Sequence, residues 1–284
     1  MISSLLNFSS FYIYNFIIIP PFYIGSYFYY KWFQSSYYPL DKFYSENVLQ
    51  QLNFIDEKHS DSCQLINSGF LLSNHRSFFD FFWDSYIFNS CMISRILAFV
   101  IVCFTSIISY LSDKTIIFNR GKTSRHSLFN ECLSHINNPS KKTKRILFYP
   151  EGSRKNHNYV TLNQHYLKPG LLKSIWEYSQ TTQNDIPVQI CISTNKENVI
   201  NEKKLFVNKK KYRQLHCTGI TDIQEPVKVS YYIDYPIYPK QYSSFEEFYN
   251  TIIKRWCYSW EKVYLNKCEL VSCKMPLKHL KHLD

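Results

Sequence analysis

The sequence predicts an α/β fold, in which a mixed central sheet is flanked by helices. Short apolar runs, among them residues 69–73, 115–119 and 186–193, have the length of buried strands and are bounded by polar turns. Segments whose apolar residues recur at helical spacing separate these runs between residues 68 and 265. Such alternation is typical of α/β domains, because a helix that connects two strands covers one face of the sheet.

The chain begins with an apolar, aromatic segment that predicts association with a membrane. Residues 1–30 contain no charged side chain. A helix needs about 20 apolar residues to cross a bilayer, but Pro20 and Pro21 interrupt this segment, and Asn, Ser and Tyr dilute it. We therefore expect residues 1–40 to form a membrane anchor, either a kinked transmembrane helix or a re-entrant segment in the interface. The alternative is a pair of buried helices in a soluble core.

Residues 41–68 are mixed and polar, and they predict a linker. One domain then follows over residues 69–284. It opens with a strand at 69–73 and a helix from about Phe78 to Phe88. The next apolar stretch, residues 93–111, favours a helix that is buried or rests on the membrane, although its Val, Ile and Thr content leaves a strand open.

The later elements are predicted from the same patterns. Ser244 and Glu247 match a capping box, which predicts a helix start, and the apolar stripe behind them predicts a buried face. The expected elements are a strand at 115–119, a helix at 123–138, a strand between the basic residues 141–145 and Glu151, a helix at 169–180, a strand at 186–193, a strand at 226–237 and the helix from Ser244.

Composition narrows the classes of partner. Lys and Arg total 33 against 22 Asp and Glu, so the formal net charge of +11 favours anionic partners. No nucleic-acid-binding motif is visible, so we expect no nucleic acid among them. The nine cysteines contain no C-x-x-C pair, which indicates a reducing compartment. The spacing of Cys268, Cys273, His279 and His282 matches no familiar zinc pattern, and we predict no metal site.

A histidine and an aspartate in the segment NHRSFFD (74–80) are the candidate reactive pair. Residues five apart on a regular helix lie about 140° apart, so His75 and Asp80 cannot share a helix face. They can meet if His75 lies in the turn before the helix and Asp80 in its first turn. Ser77 and Asp80 match a capping box, which places the helix start there. In the alternative interpretation Asp80 only caps the helix and His75 is a loop residue.

Charged residues also follow two other predicted strands. Arg120 ends one, and the loop Glu151, Gly152, Ser153 and Arg154 follows another. Ligands of α/β sheets gather beyond the carboxyl ends of strands. A base, a carboxylate and two arginines at such ends predict a site for a phosphate-bearing hydroxyl compound.

Four segments in this order resemble the motifs of the glycerolipid acyltransferases typified by 1-acylglycerol-3-phosphate acyltransferase. They are NHRSFFD (74–80), IIFNR (116–120), YPEGSRK (149–155) and IPVQI (186–190). The resemblance covers roughly residues 69–193. Tyr149, Ser153 and Lys155 stand where the family has phenylalanine, threonine and serine.

The resemblance implies transfer of an acyl group from acyl-CoA or acyl carrier protein to a hydroxyl of 1-acylglycerol 3-phosphate, in phospholipid biosynthesis. Glycerol 3-phosphate or another lysophospholipid is the alternative acceptor. His75 would take the proton from the acceptor hydroxyl, and Asp80 would orient its imidazole. The substrate-binding residues would be Arg120, Glu151, Gly152, Ser153, Arg154 and Pro187, with the two arginines at the acceptor phosphate. No G-x-S-x-G elbow is present, so we expect no serine nucleophile.

The same resemblance sets the expected partners and location. We expect acyl-CoA as a co-substrate, no other cofactor, and membrane lipids as partners. The catalytic site would face the cytosol at a membrane, with the endoplasmic reticulum as one candidate. An alternative of another class is an inactive membrane adaptor that binds lipid; intact His75, Asp80 and Glu151 argue against it.

Overall fold

The structure is a computed structural model that describes residues 13–29, 32, 44–48, 54–76, 80–96, 103–152, 167–194 and 227–264. Within these ranges seven strands form one mixed sheet in the order β1-β7-β6-β2-β5-β3-β4. The strands are β1 (Phe54–Lys58), β2 (Ser68–Ser73), β3 (Cys91–Arg95), β4 (Thr115–Phe118), β5 (Lys144–Phe148), β6 (Val188–Ser193) and β7 (Val227–Ile233). The predicted α/β class with a mixed central sheet is confirmed.

Helices flank this sheet, as expected. The longer helices are α1 (Ile19–Tyr29), α2 (Asp80–Phe88), α3 (Cys103–Leu111), α4 (Arg125–Asn137), α5 (Pro169–Thr181) and α6 (Phe245–Tyr264), and residues 44–48 and Pro239–Gln241 form short helical turns. The capping box of α6 forms: the Glu247 amide donates to Ser244 Oγ at 3.2 Å. The returning Glu247 carboxylate accepts from the Ser243 amide, one residue earlier than the motif predicts.

The direction of the strands brings five carboxyl ends to one edge of the sheet. β2 pairs parallel with both β5 and β6, and β3 pairs parallel with both β5 and β4. β7 runs antiparallel to β6 and parallel to β1. The segments that leave β2, β3, β4, β5 and β6 therefore emerge at the same edge, which we call the carboxyl edge. The other side of these five strands is the amino edge.

The hydrophobic core lies on both faces of the central strands. Phe70 and Leu72 of β2 join one cluster, which includes Phe129 of α4 and Trp256 of α6, whereas Leu71 faces a second cluster on the other side. This alternation follows from the two-residue period of a strand. β2 and β6 are buried along almost their whole length, as expected of central parallel strands covered on both sides.

The structure corrects the prediction made for residues 93–111. A single helix was favoured there, but residues 91–95 form β3, Ile96 after it is helical, and Cys103–Leu111 forms α3. Residues 97–102 lie outside the described residues. The strand wins because β5 and β4 supply backbone partners on both sides of β3, whereas an apolar run of this length does not by itself distinguish strand from helix.

The segment expected to be a linker also contains a strand. Phe54–Lys58 forms β1, which pairs parallel with β7 from Phe54 opposite Val227 to Lys58 opposite Tyr231. The His59 amide continues the contact by donating to the Tyr231 carbonyl at 2.8 Å. The partner strand lies far along the chain, so no local pattern in residues 41–68 indicates the pairing. The boundaries of the three predicted segments stay a prediction.

The described part of the N-terminal segment is helical. A π-helical turn, Tyr14–Ile18, leads into α1, whose first turn holds Pro20 and Pro21. The two prolines have no backbone N–H to donate to the preceding turn, and that turn is the π-helical one. Across the described ranges, every helix falls short of the length and apolarity required to cross a bilayer, so the predicted transmembrane helix is not found in them. Residues 1–12 and 33–43 lie outside the described residues.

Candidate active site

The structure brings His75 and Asp80 together at the carboxyl edge. His75 lies in the loop after β2, and Asp80 is the first residue of α2. His75 Nδ1 lies 2.8 Å from Asp80 Oδ2, which also accepts from the Arg76 amide at 2.5 Å. The Asp80 carboxylate is fully buried, while 27% of the His75 side chain is exposed. Asp80 therefore holds the proton on Nδ1 and leaves the Nε2 lone pair available.

Glu151 binds the backbone of residues 74–76, which we call the histidine loop. Its Oε2 accepts from the His75 amide at 2.8 Å, and its Oε1 accepts from Arg76 Nη2 at 3.1 Å. Both members of this ion pair are buried. The Arg76 guanidinium also lies over the Trp260 ring, with its carbon 4.3 Å from the ring centroid. Glu151 thus orders the Arg76 side chain, and both of its carboxylate oxygens bind the protein.

Asn74 binds the same loop to the end of β6. Its Nδ2 donates to the Ser193 carbonyl at 2.8 Å, and its Oδ1 accepts from the Ser193 amide at 2.9 Å. β2 lies between β6 and β5, so Asn74 ties the loop to the end of β6 while Glu151 ties it to the end of β5. Two flanking strands therefore position His75.

Tyr149 covers one face of the imidazole. The two ring centroids are 4.3 Å apart and the planes meet at 16°. The Tyr149 hydroxyl donates to Asp84 Oδ2 at 2.7 Å, and Ser73 Oγ donates to the same oxygen at 3.3 Å. Burial and the nearby carboxylates of Asp84 and Asp80 raise the pKa of Tyr149 well above its usual value, so the phenol stays neutral and donates.

Two cationic side chains lie beside Gly152. Arg95, the last residue of β3, donates from Nη2 to the Gly152 carbonyl at 3.3 Å. A Cβ at position 152 would clash with the end of the Lys168 side chain, so that amine also lies close by. Gly152 has φ +71°, which favours glycine. This part of the edge is suited to an anionic group.

Not all of the other predicted substrate-binding residues lie near His75 and Asp80. Arg120 is exposed in the turn after β4. It shares the carboxyl edge, but β4 is three strand positions from β2, about 14 Å away. Pro187 precedes β6 at the amino edge, where its carbonyl accepts from the Phe70 amide at 2.9 Å. It is therefore about 20 Å from the end of β6 that meets the histidine loop. Ser153 and Arg154 lie outside the described residues.

Sequence reasoning missed several residues that build this site. Arg95 ends a strand, the pattern that singled out Arg120, but the favoured helix over 93–111 hid it. Arg76, Asp84 and Trp260 carry no local signal, because their role depends on contacts between distant segments. Within the described ranges, no cluster of three His, Cys, Asp or Glu side chains could hold a metal ion. The tail residues from Cys268 to His282 lie outside those ranges.

Comparison with known proteins adds evidence at the level of the fold. The sequence matches no protein-family model and no curated protein. The structure is similar to the crystal structure of the 1-acyl-sn-glycerophosphate (LPA) acyltransferase PlsC from Thermotoga maritima. The TM-score is 0.50 at 15% sequence identity, over 89% of this chain and 94% of that chain. The chain shares the fold of a glycerolipid acyltransferase.

The arrangement is suited to general base chemistry on an anionic alcohol. An imidazole with one nitrogen held by a buried carboxylate can accept a proton at the other nitrogen. None of the described residues forms a hydrogen bond with Nε2 of His75. Arg95 and Lys168 supply positive charge beside the end of β5, the strand next to β2.

Proposed function

We propose that the protein is an O-acyltransferase that moves a fatty acyl group from an acyl-CoA or acyl carrier protein thioester to a hydroxyl of 1-acylglycerol 3-phosphate. The observation that carries this proposal is the 2.8 Å contact between His75 Nδ1 and the buried Asp80 carboxylate. It supports a base placed at the end of a central strand, in a fold shared with an LPA acyltransferase.

In the proposed reaction His75 Nε2 takes the proton of the acceptor hydroxyl as its oxygen attacks the thioester carbonyl. The bond between carbon and oxygen forms, and the tetrahedral intermediate collapses as the bond between carbon and sulfur breaks. The thiolate of CoA leaves and takes the proton back from the imidazolium. Asp80 stabilises that imidazolium through Nδ1. Positioned acid–base catalysis of this kind contributes about 10²–10⁴ in rate.

The acceptor phosphate would bind near the loop that follows β5. Arg95 and Lys168 lie beside Gly152 there, the predicted ligand Arg120 belongs to the same edge, and the predicted ligand Arg154 follows Gly152 by two positions in the sequence. A guanidinium suits phosphate because it presents two parallel donors. Glycerol 3-phosphate or another lysophospholipid stays an alternative acceptor, since each carries a phosphate and a hydroxyl.

The proposal includes a location at a membrane, with the site facing the cytosol. Large apolar side chains are exposed on residues 13–29, namely Ile13, Tyr14, Ile17, Ile18, Phe22 and Tyr29. Such a surface supports contact with lipid, the source of the acceptor. The described cysteines Cys63, Cys91, Cys132, Cys191 and Cys257 are free thiols, which agrees with a reducing compartment.

The direct test is an assay of purified protein with acyl-CoA and 1-acylglycerol 3-phosphate in mixed micelles. We expect release of the CoA thiol together with a diacylated product of the correct mass. Parallel reactions with glycerol 3-phosphate and lysophosphatidylcholine separate the acceptors. Thiol release from acyl-CoA without an acylated acceptor would contradict transferase activity. No release with any acceptor, together with retained vesicle binding, would instead support the adaptor alternative.

Arg95→Ala tests the acceptor site. The change removes a charge-assisted contact to phosphate, so the apparent KM for the lysophospholipid should rise about tenfold with little change in kcat. Arg145→Ala is the matched control, because Arg145 lies near the start of β5 at the amino edge and donates to the Asn89 carbonyl. An equal rise in KM for both variants would mean that overall charge, rather than this site, attracts the acceptor.

A further inference from the structure

Tyr149 and Asp84 are joined to the candidate base, yet the proposed reaction assigns them no role. The Tyr149 ring lies almost parallel to the His75 imidazole, at 16° and 4.3 Å between centroids. Its hydroxyl reaches past the imidazole to the carboxylate of Asp84, which is fully buried. The pair therefore spans from the imidazole face into the interior of the protein.

The Asp84 carboxylate is buried and accepts two hydrogen bonds. It lies on α2, one turn after Asp80, and accepts from the Tyr149 phenol and from the Ser73 hydroxyl on the same oxygen. α2 thus carries two buried carboxylates with different partners. Asp80 binds the edge of the imidazole at Nδ1, whereas Asp84 binds the ring that covers the imidazole face.

The chain around Tyr149 contacts the histidine loop in a second place. Two residues later, Glu151 accepts the His75 amide at 2.8 Å. Residues 149–151 therefore restrain both the backbone of His75 and the plane of its ring. Phenylalanine, which the resembling family has at this position, could supply the stacked face but no hydroxyl to anchor it.

We propose that Tyr149 and Asp84 form a positioning pair for His75, in which the buried carboxylate anchors the phenol and the phenol ring holds the imidazole plane and stabilises the imidazolium formed during acyl transfer. The physical basis is the negative face of an aromatic ring, which attracts a cation stacked against it. The catalytic part of this proposal rests on the proposed acyltransferase function, whereas the positioning part does not.

Three variants separate the ring from its anchor. Tyr149→Leu removes the aromatic face and should lower kcat about tenfold while leaving KM for acyl-CoA unchanged. Tyr149→Phe and Asp84→Asn keep the ring and weaken only the anchor, so each should lower kcat about two- to threefold. The Tyr149→Phe/Asp84→Asn double variant should match Tyr149→Phe alone, since without the phenol hydroxyl the change at Asp84 removes no further contact with Tyr149.

The matched control is Tyr249→Phe. Tyr249, on α6, also donates its hydroxyl within the protein, to the Leu167 carbonyl at 2.5 Å, but its partly buried ring packs against the main core cluster rather than against His75. We expect its kcat to equal that of the wild type. Equal losses of kcat in Tyr249→Phe and Tyr149→Phe would overturn the positioning role, because loss of any buried phenol would then suffice.

A spectroscopic readout tests the stacking without reference to turnover. A ring stacked on an imidazole shifts the resonances of the imidazole carbon-bound protons upfield, and these can be followed in histidine-labelled protein and assigned with His75→Asn. The upfield position should persist in Tyr149→Phe and disappear in Tyr149→Leu. Unshifted His75 resonances in the wild type would overturn the proposal whether or not the protein is active.

The two readouts keep this proposal distinct from the proposed function. If the wild type turns over but Tyr149→Leu keeps its kcat, the positioning role is wrong and the acyltransferase stands. If the wild type turns over no acceptor, the acyltransferase is wrong, and the resonances still decide whether the pair holds the imidazole. If Tyr149→Leu fails to fold, the comparison of Tyr149→Phe, Asp84→Asn and the double variant decides: additive losses of kcat would contradict the shared anchor.

Discussion

Two buried aspartates, Asp234 and Asp80, differ in whether the partner that binds them can exchange a proton. At the amino edge, Asp234 is bound by the guanidinium of Arg255, with Nε at 2.7 Å, and by the Tyr235 amide at 2.9 Å. At the carboxyl edge, Asp80 is bound by His75 and by a backbone amide. Both carboxylates are fully buried. Arginine stays charged at all relevant pH values, so the first pair is inert, whereas histidine can exchange a proton through its second nitrogen. The partner, not the burial, distinguishes a structural carboxylate from one that binds the proposed base.

The largest expected effect is on turnover when the carboxyl-edge pair is broken. His75→Ala removes the base, and Asp80→Asn removes the group that holds its tautomer, so each should lower kcat by about 10²–10⁴. Activity assays beside circular dichroism melting curves measure this. Near-normal turnover in either folded variant would contradict the assigned roles.

Glu151→Gln tests the buried ion pair of Arg76 and Glu151, which supports the loop that carries His75. The amide still accepts the His75 backbone N–H, but the buried Arg76 guanidinium loses the charge of its Glu151 partner. We expect a loss of about 3 kcal/mol in the free energy of unfolding, measured by urea titration. Lys173→Gln breaks the exposed ion pair with Glu177 and is the control, with an expected change below about 0.5 kcal/mol. Equal changes would mean that burial of the Arg76 pair has no energetic consequence.

Arg255→Leu is the counterpart at the amino edge. It leaves the buried Asp234 carboxylate with its backbone donor but without the guanidinium, and should lower the free energy of unfolding by about 2 kcal/mol. Turnover per folded molecule should not change, because the contact lies far from His75. Denaturation curves combined with kcat measure both quantities. A large fall in kcat without loss of stability would show that the two edges are coupled.

The smallest effect concerns a buried histidine that no reaction uses. Burial lowers the pKa of His135, whose Nε2 donates to the Thr143 carbonyl at 3.0 Å. Below the ordinary histidine pKa of about 6.5 the unfolded chain binds a proton that the folded protein resists, so stability falls as the pH falls through this range. His135→Gln should flatten that dependence in melting curves between pH 7 and pH 5. An unchanged slope would assign the dependence to other groups.

Local patterns predicted much of the fold and part of the site. The strands at 69–73, 115–119 and 186–193 agree with β2, β4 and β6 within one or two residues, because each is a short apolar run closed by a polar turn. The contact between His75 and Asp80 was also predicted, since a turn followed by a helix start is encoded within six residues. These features depend on neighbours in the chain, so a single sequence contains them.

Features that depend on distant partners were missed or misplaced. β1 exists because β7 lies beside it, and β3 exists because β4 and β5 do. Pro187 was grouped with the site because the segment IPVQI (186–190) resembles a motif of the family, but the parallel direction of β6 leaves it at the amino edge.

Residue types and their spacing in the chain sufficed for the α/β class and most helix starts, and they made contact between His75 and Asp80 one of two interpretations, because hydrophobic period, capping and turn chemistry act over a few residues. Tertiary structure decided which strands pair, that Glu151 and Arg76 support the histidine loop, and that Tyr149 covers the imidazole while binding Asp84. Those contacts join segments tens of residues apart, and only the register of the sheet brings them within a few ångströms.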